Sequence, residues 1–165
     1  MGYSHYWSID MDALRGKTAK YEASYQKAIA ECQRVVTRMA LVNRELYGTS
    51  YLSGYTAHTK PGQYGGINLG GSQDHTAEYL ILREHLKQND SAGAIKTNRH
   101  PYDTAVVACL LILSYRLPGI FIVRSDGHEG DWQRVADYVS SVLRRRIHVP
   151  ETIRTRDESA QSQEA

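Results

Sequence analysis

Hydrophobic and polar residues follow two different periods along the first third of the chain. Residues 2–10 alternate strictly, with Tyr3, His5, Trp7 and Ile9 on one side, and this period of two predicts a β-strand. From about Lys17 the apolar positions recur every three or four residues, which predicts one long helix that ends at Tyr47 before Gly48. The apolar stripe of that helix consists of Tyr21, Tyr25, Ile29, Cys32, Val36, Met39, Val42 and Leu46.

The second half of the chain alternates short extended segments with helices. Ala94–Thr97 is extended, and Tyr102–Tyr115 is apolar almost all round, which is typical of a helix in the middle of a domain. Ile120–Val123 predicts a core strand, and an amphipathic helix follows from Trp132 to about Arg146. Strand, helix, strand and helix in this order indicate a right-handed crossover with two parallel strands.

The remaining segments are less regular. Residues 48–71 contain seven glycines and three tyrosines and directly follow Tyr47, which predicts a long loop with a short strand at Ile67–Leu69. A further strand is favoured at Glu78–Arg83. The polar composition of Glu151–Ala165 predicts a disordered tail. We therefore expect a single globular domain over residues 1–149, of α/β or α+β class with a mixed sheet, and a tail over 150–165.

Composition excludes several classes of protein. Twenty Lys and Arg against eighteen Asp and Glu leave a net charge of +2, which argues against a nucleic-acid partner. The absence of a long apolar run or a secretory leader pattern leads us to expect a cytoplasmic protein without a membrane partner. The two cysteines, Cys32 and Cys109, are too few for a disulfide scaffold or a four-thiolate zinc site. The histidine spacings match no metal motif, so we expect neither metal nor cofactor.

Aromatic composition points to a ligand instead. The chain has twelve Tyr and two Trp but one Phe, and rings with a polar edge suit stacking on nucleic-acid bases. The alternative is that many of these tyrosines lie half-buried at the margin of the core.

Polar residues follow both predicted strands of the second half. Lys96, Thr97 and Arg99 leave the first strand, and Ser125, Asp126 and Gly127 leave the second. Parallel strands end at one edge of a sheet, and helix N-termini there attract anions, so this edge is a candidate site for a phosphorylated nucleotide. The alternative is ordinary turn chemistry, with Pro101 starting a helix. Arg144–Arg146 is interpreted as a solvated helix end.

Three motifs resemble a family of small, uncharacterised tailed-phage proteins. They are Gly2-Tyr3-Ser4-His5-Tyr6-Trp7, then Lys96-Thr97-Asn98-Arg99-His100-Pro101-Tyr102-Asp103, and finally Ser125-Asp126-Gly127 with Asp131-Trp132. The family's central Asn-Gly strand is matched only in part, by Ile67-Asn68-Leu69-Gly70. The resemblance implies an accessory protein that is made in the cytoplasm of an infected bacterium.

Our leading hypothesis is a sponge that sequesters a nucleotide-derived immune signal. Lys96 and Arg99 would bind phosphates, Asp103 or Asp126 would accept ribose hydrogen bonds, and aromatic rings would stack on a base. The candidate ligand-binding residues are His5, Tyr6, Trp7, Asn68, Lys96, Thr97, Arg99, Tyr102, Asp103, Ser125, Asp126, Gly127 and Trp132.

Two other functions stay open. A phosphodiesterase would use His5 or His75 as general acid or base, and an inhibitor of a host protein would use a tyrosine-rich surface. The first helix is longer than a helix has to be to cover one small sheet. We therefore expect a homo-oligomer.

Overall fold

The computed structural model describes residues 2–47, 52–53, 66–71 and 78–164. Its elements in chain order are β1 (Ser4–Ile9), α1 (Thr18–Tyr47), β2 (Leu52–Ser53), β3 (Ile67–Gly71), β4 (Leu80–Leu82), a short 3₁₀ helix (Leu86–Gln88), β5 (Ala92–Lys96), α2 (Asp103–Arg116), β6 (Phe121–Ser125), α3 (Glu129–Leu143) and α4 (Glu151–Glu164). This is the predicted α+β architecture with a long N-terminal helix.

The N-terminal strand lies in the middle of the main sheet. Its order is β5-β1-β6, and β1 pairs antiparallel with both neighbours, so that His5 lies between Ile95 and Ser125. β5 and β6 run in the same direction, as predicted, but they are not adjacent, and the expected parallel pairing is wrong. The reason is that β1 is inserted between them. Their C-terminal ends still lie at the same edge of the sheet.

A second sheet contains β2, β3 and β4, all paired antiparallel. The strands that were predicted at Ile67–Leu69 and Glu78–Arg83 are confirmed as β3 and β4. The rest of the predicted glycine- and tyrosine-rich loop, residues 48–51 and 54–65, lies outside the described residues, as does His75.

Helix α2 occupies the centre of the hydrophobic core. Every residue from Ala105 to Leu113 is buried, as its uninterrupted apolar sequence predicts. Helix α1 packs across α2 with the predicted stripe, in which Tyr25, Ile29 and Cys32 are buried. Among the described residues, no helix has both the length and the apolarity that a bilayer crossing requires.

One carboxylate connects three of the helical segments. Glu31 on α1 pairs with Arg116 at the end of α2 and with Arg145 just after α3. The interpretation of Arg144–Arg146 as a solvated helix end is therefore wrong for Arg145. The guanidinium turns inward because Glu31 is mostly buried and needs a partner.

The C-terminal segment is a helix rather than the disordered tail that was predicted. α4 covers the open edge of β6, where the Thr152 hydroxyl donates to the Val123 carbonyl at 2.6 Å and Arg156 donates to the Ser125 carbonyl. Ile153 is 1% exposed and joins the core. The composition gave the wrong prediction because only one apolar residue, Ile153, docks this helix. Its polar contacts include two backbone carbonyls of an edge strand and an ion pair from Arg154 to Glu129 on α3.

We expect Ile153→Ala to lower the free energy of unfolding by about 2–4 kcal/mol, because the substitution leaves a cavity beneath α4. Urea denaturation measures this loss. Glu158→Ala on the exposed side of the same helix is the control and should change stability by less than about 0.5 kcal/mol. Equal stability of the two variants would show that α4 does not dock.

Candidate functional site

A fully buried histidine lies at the edge of the main sheet where β5 and β6 end. The exposed fraction of His5 is 0%, and both ring nitrogens have partners. Nδ1 lies 2.8 Å from Ser125 Oγ, and Nε2 lies 2.6 Å from Asp103 Oδ1. The imidazole therefore connects β1 to the end of β6 and to the start of α2.

The partners of His5 are themselves held by hydrogen bonds. Thr97 Oγ1 donates to the same Asp103 oxygen that faces His5. The backbone N–H of Gly127 donates to Ser125 Oγ at 2.8 Å. Asp126 accepts from the Ser4 N–H at 2.9 Å. We name this group of His5, Thr97, Asp103, Ser125 and Gly127 the His5 network.

Two aromatic rings enclose the imidazole. Tyr3 lies 5.1 Å from the His5 ring centroid and Trp132 lies 5.5 Å from it, both edge to face. Trp132 is 0% exposed, and its indole N–H has no hydrogen-bond partner among the described residues. These rings exclude water from His5, so the network sits in a medium of low dielectric constant.

A cavity of about 460 Å³ opens beside the network. Asp103 is the network member that lines it, with 19% of its side chain exposed. We name this cavity the strand-end pocket. Its polar lining residues are Tyr3, Arg99, His100, Asp103, Thr104, Asp131, Arg134 and Tyr138.

Arg99 reaches the pocket through an unusual turn. Asn98 and Arg99 both have left-handed backbone conformations, with φ of 50° and 58°. This geometry lays the Arg99 guanidinium over the Tyr3 ring, 4.1 Å from its centroid, and 3.4 Å from Asp131 Oδ2. A non-glycine residue in this region of φ and ψ is strained, and such strain is concentrated at binding and catalytic sites.

The pocket also faces the beginning of α2. The residue that precedes this helix, Tyr102, makes no hydrogen bond from its side chain to the first turn. Thr104 in the first turn lines the cavity. Helix α3 differs, because Asp131 accepts from the His128 N–H in a capping box. The start of α2 therefore offers its positive dipole end to the pocket.

Several predicted site residues do not reach the pocket. Tyr6 is 43% exposed and lies on the opposite face of the sheet from His5. Lys96 pairs with Ser4 on that same outer face, and its side chain packs against Gly2. Asn68 belongs to the second sheet, where it pairs with Ile81.

The other predicted stacking residues are part of the core. Tyr102 is 1% exposed, and its hydroxyl donates to the Glu78 carbonyl at 2.9 Å. Trp7 is half-buried against the core and covers Gly93, where a Cβ atom would meet its ring. Trp132 is enclosed, as described above. None of the predicted stacking residues lines the strand-end pocket.

Nine of the eleven described lining residues were not among the predicted ligand-binding residues, and Tyr3, Asp131 and Arg134 are three of them. Tyr3 shares the inner face with His5, and its place in the alternating pattern could have signalled this. Asp131 and Arg134 lie in the first turns of α3, where the sequence shows only ordinary helix charges. Their approach to Arg99 depends on how α3 packs against α2.

Burial and the nearby Asp103 charge raise the pKa of the Tyr3 phenol to about 12. The Arg99 guanidinium acts in the opposite direction. Tyr3 is therefore a neutral hydrogen-bond donor over the whole physiological range.

We expect Ser125→Ala to lower the free energy of unfolding by about 2–4 kcal/mol, because it leaves the buried His5 Nδ1 and the Gly127 N–H without partners. Denaturant titration measures the loss. Ser8→Ala on the outer face of β1 is the control, with an expected change below about 0.5 kcal/mol. A Ser125 variant as stable as the Ser8 variant would contradict the network.

The Tyr3 pKa has a consequence at alkaline pH. The unfolded chain loses this proton near the ordinary value of 10.0, so the contribution to stability is complete below pH 10 and is lost between pH 10 and about 12. Carbon-13 NMR of labelled tyrosine should follow the titration. In Asp103→Asn the pKa of Tyr3 should fall, since a negative charge is removed. An unchanged value would contradict the proximity of the two groups.

No three His, Cys, Asp or Glu side chains of the described residues gather as a metal site requires. Cys32 and Cys109 are buried in the core, and burial raises the pKa of the Cys32 thiol. Comparison with protein-family models, with curated proteins and with solved structures finds no match for this chain.

Proposed function

We propose that the protein binds a phosphorylated, nucleotide-derived ligand in the strand-end pocket and holds it without converting it. The observation that carries this proposal is the convergence of the Arg99 guanidinium, the Asp103 carboxylate and the start of α2 on one cavity. Its volume of about 460 Å³ lies in the range of small-molecule sites.

The phosphate side of the ligand would face Arg99 and Arg134. Both guanidinium groups approach Asp131 at ion-pair distances that are long, 3.4 Å and 3.6 Å. Such loose pairs leave N–H groups available, and a guanidinium binds phosphate oxygens in a two-pronged geometry. At the start of α2 the Asp103 and Ala105 N–H groups donate to backbone carbonyls, and the Thr104 N–H adds one backbone donor.

The sugar side of the ligand would face Asp103. A carboxylate that accepts hydrogen bonds from ribose hydroxyls recurs in nucleotide sites. Here His5 and Thr97 hold one Asp103 oxygen in place, so the free oxygen does not have to be ordered when the ligand arrives. Preorganisation of this kind favours tight binding.

The environment of His5 favours sequestration over catalysis. A general base must reach the proton that it removes, whereas His5 is fully buried with both nitrogens engaged. The resemblance to tailed-phage proteins supplies the biological setting. We propose that the ligand is an immune signal of the infected bacterium, such as a cyclic ADP-ribose isomer, an ADP-ribose conjugate or a cyclic dinucleotide, and that the protein acts as a sponge for it.

A phosphodiesterase is the second candidate, and one observation favours it. His100 lines the pocket together with Asp103, and imidazole and carboxylate groups are common general acids and bases. In that reaction His100 would replace His5 as the catalytic histidine.

We expect isothermal titration against a panel of cyclic and linear nucleotides to give saturable binding of at least one. Arg99→Gln should weaken that binding by about 10- to 100-fold, because it removes charged hydrogen bonds to phosphate. Arg124→Gln, which removes an exposed arginine on the outer face of the sheet, is the matched control and should leave affinity unchanged.

Chromatography of the ligand after denaturation of the protein distinguishes the two candidates. Recovery of intact ligand supports sequestration, and new products that disappear in His100→Gln support the phosphodiesterase. Absence of binding by every phosphorylated ligand, or equal binding by the Arg99 and Arg124 variants, would overturn the proposal.

A further inference from the structure

A second cavity lies between α1 and α3, outside the His5 network. Its volume is about 700 Å³, and three arginines line it: Arg34 and Arg38 on α1 and Arg144 after the end of α3. The described lining residues include no carboxylate. We name this cavity the arginine hollow.

The three guanidinium groups have no neutralising partner in the part of the chain that the structure describes. Two described carboxylates on the same helices are used elsewhere: Glu31 pairs with Arg116 and Arg145, and Asp137 accepts from Gln133. Arg34 and Arg38 lie one turn apart on the same face of α1, where like charges repel each other. A bound anion would remove this repulsion.

Arg144 reaches the hollow through a left-handed backbone conformation, with φ 54° and ψ 42°. Glycine is the residue that this position after a helix favours. An arginine that occupies a glycine conformation presents its guanidinium to the cavity at a cost in backbone energy, which a role in binding would explain.

Neutralisation of the negative end of α3 is the simpler explanation of these charges, and it accounts for Arg34. The Arg34 guanidinium donates to the Val142 carbonyl at 2.7 Å. No described hydrogen bond or ion pair engages the side chains of Arg38 or Arg144 in this way. Helix capping therefore leaves two of the three cations unexplained.

A buried hydroxyl supplies the second, independent observation. Tyr138 lines the hollow, and its hydroxyl oxygen is buried without a hydrogen-bond partner among the described residues. Burial raises the pKa of this phenol, so that it remains a donor at neutral pH. An unpaired buried hydroxyl is costly, and an anion in the hollow could accept its hydrogen bond once the side chains that cover the oxygen move aside.

We infer that the arginine hollow binds a small phosphate-bearing molecule, whose phosphate oxygens accept from Arg34, Arg38, Arg144 and the Tyr138 hydroxyl. Guanidinium groups match phosphate oxygens in pairs, which distinguishes this chemistry from binding of a halide. The concave shape and volume suit a small molecule better than a nucleic-acid strand. Leu41, 48% exposed at the rim, offers an apolar contact to the rest of the ligand.

Isothermal titration of the full chain with pyrophosphate at about 0.15 M salt tests the inference, since nonspecific surface attraction is screened there. Arg38→Gln and Arg144→Gly should each weaken binding about tenfold or more. Arg144→Gly is informative because glycine suits the left-handed position, so the melting temperature should not fall. Tyr138→Phe should weaken binding about fivefold, again without loss of stability, because one neutral hydrogen bond is removed.

Arg146→Gln is the matched control. Arg146 is an exposed cation two residues from Arg144 and does not line the hollow, so its loss should change affinity by less than about twofold. If the Arg144 and Arg146 variants lose the same amount of affinity for pyrophosphate, the effect is a general attraction between charges, and the inference is overturned. Absence of pyrophosphate binding would also overturn it.

Two further outcomes separate this site from the alternatives. If Arg99→Gln abolishes pyrophosphate binding while Arg38→Gln does not, the anion binds in the strand-end pocket and the arginine hollow is not its site. If a short single-stranded oligonucleotide binds far more tightly than pyrophosphate and loses affinity in Arg38→Gln, the hollow belongs to a nucleic-acid surface, and the small-molecule inference fails. Loss of nucleotide binding in Arg99→Gln alone bears on the proposed function and leaves this inference intact.

Discussion

Two hydrogen bonds from one buried imidazole hold together the half of the molecule that carries the strand-end pocket. His5 in the middle of the sheet binds Ser125 at the end of β6 and Asp103 at the start of α2. If either partner moved away, a buried nitrogen would lose its hydrogen bond in a site that water does not reach. The pocket therefore has a rigid inner wall. Asp103 joins that wall to the cavity, since one part of its carboxylate belongs to the network and another faces solvent.

The near balance of charge over the chain conceals two different uses of arginine. Arg116 and Arg145 are paired with Glu31 and hold helical segments together. Arg99 lies above an aromatic ring, and Arg38 and Arg144 line a cavity without a carboxylate among its described residues. A net charge of +2 describes none of this, because the field at a cavity depends on where the individual cations lie. Arginine and tyrosine side chains line both cavities, and Tyr138 lines both of them.

The predictions of secondary structure were confirmed where the apolar pattern lies within a single segment of the chain. The stripe of α1 and the wholly apolar α2 were predicted because each pattern lies within a single element. The helix α4 was missed because its anchoring contacts, Thr152 and Arg156, are to backbone carbonyls of a distant strand. Arg99 was predicted to be in the site, but the left-handed turn that brings it over Tyr3 is not visible in the sequence. Lys96 was misplaced because its pairing with Ser4 puts it on the outer face.

The sequence by itself determined which side is apolar in β1, α1 and α3, and with it the α+β fold and the inward direction of His5. Tertiary structure alone decided that β1 lies between β5 and β6, that Tyr102 and Trp132 are enclosed, and that the cavity is lined by the turn after β5 and by α3 rather than by the turn after β6. The physical reason is the range of the interactions. Periodicity arises from neighbours three or four residues apart, whereas His5 and Ser125 are 120 positions apart and meet only when the whole sheet has formed.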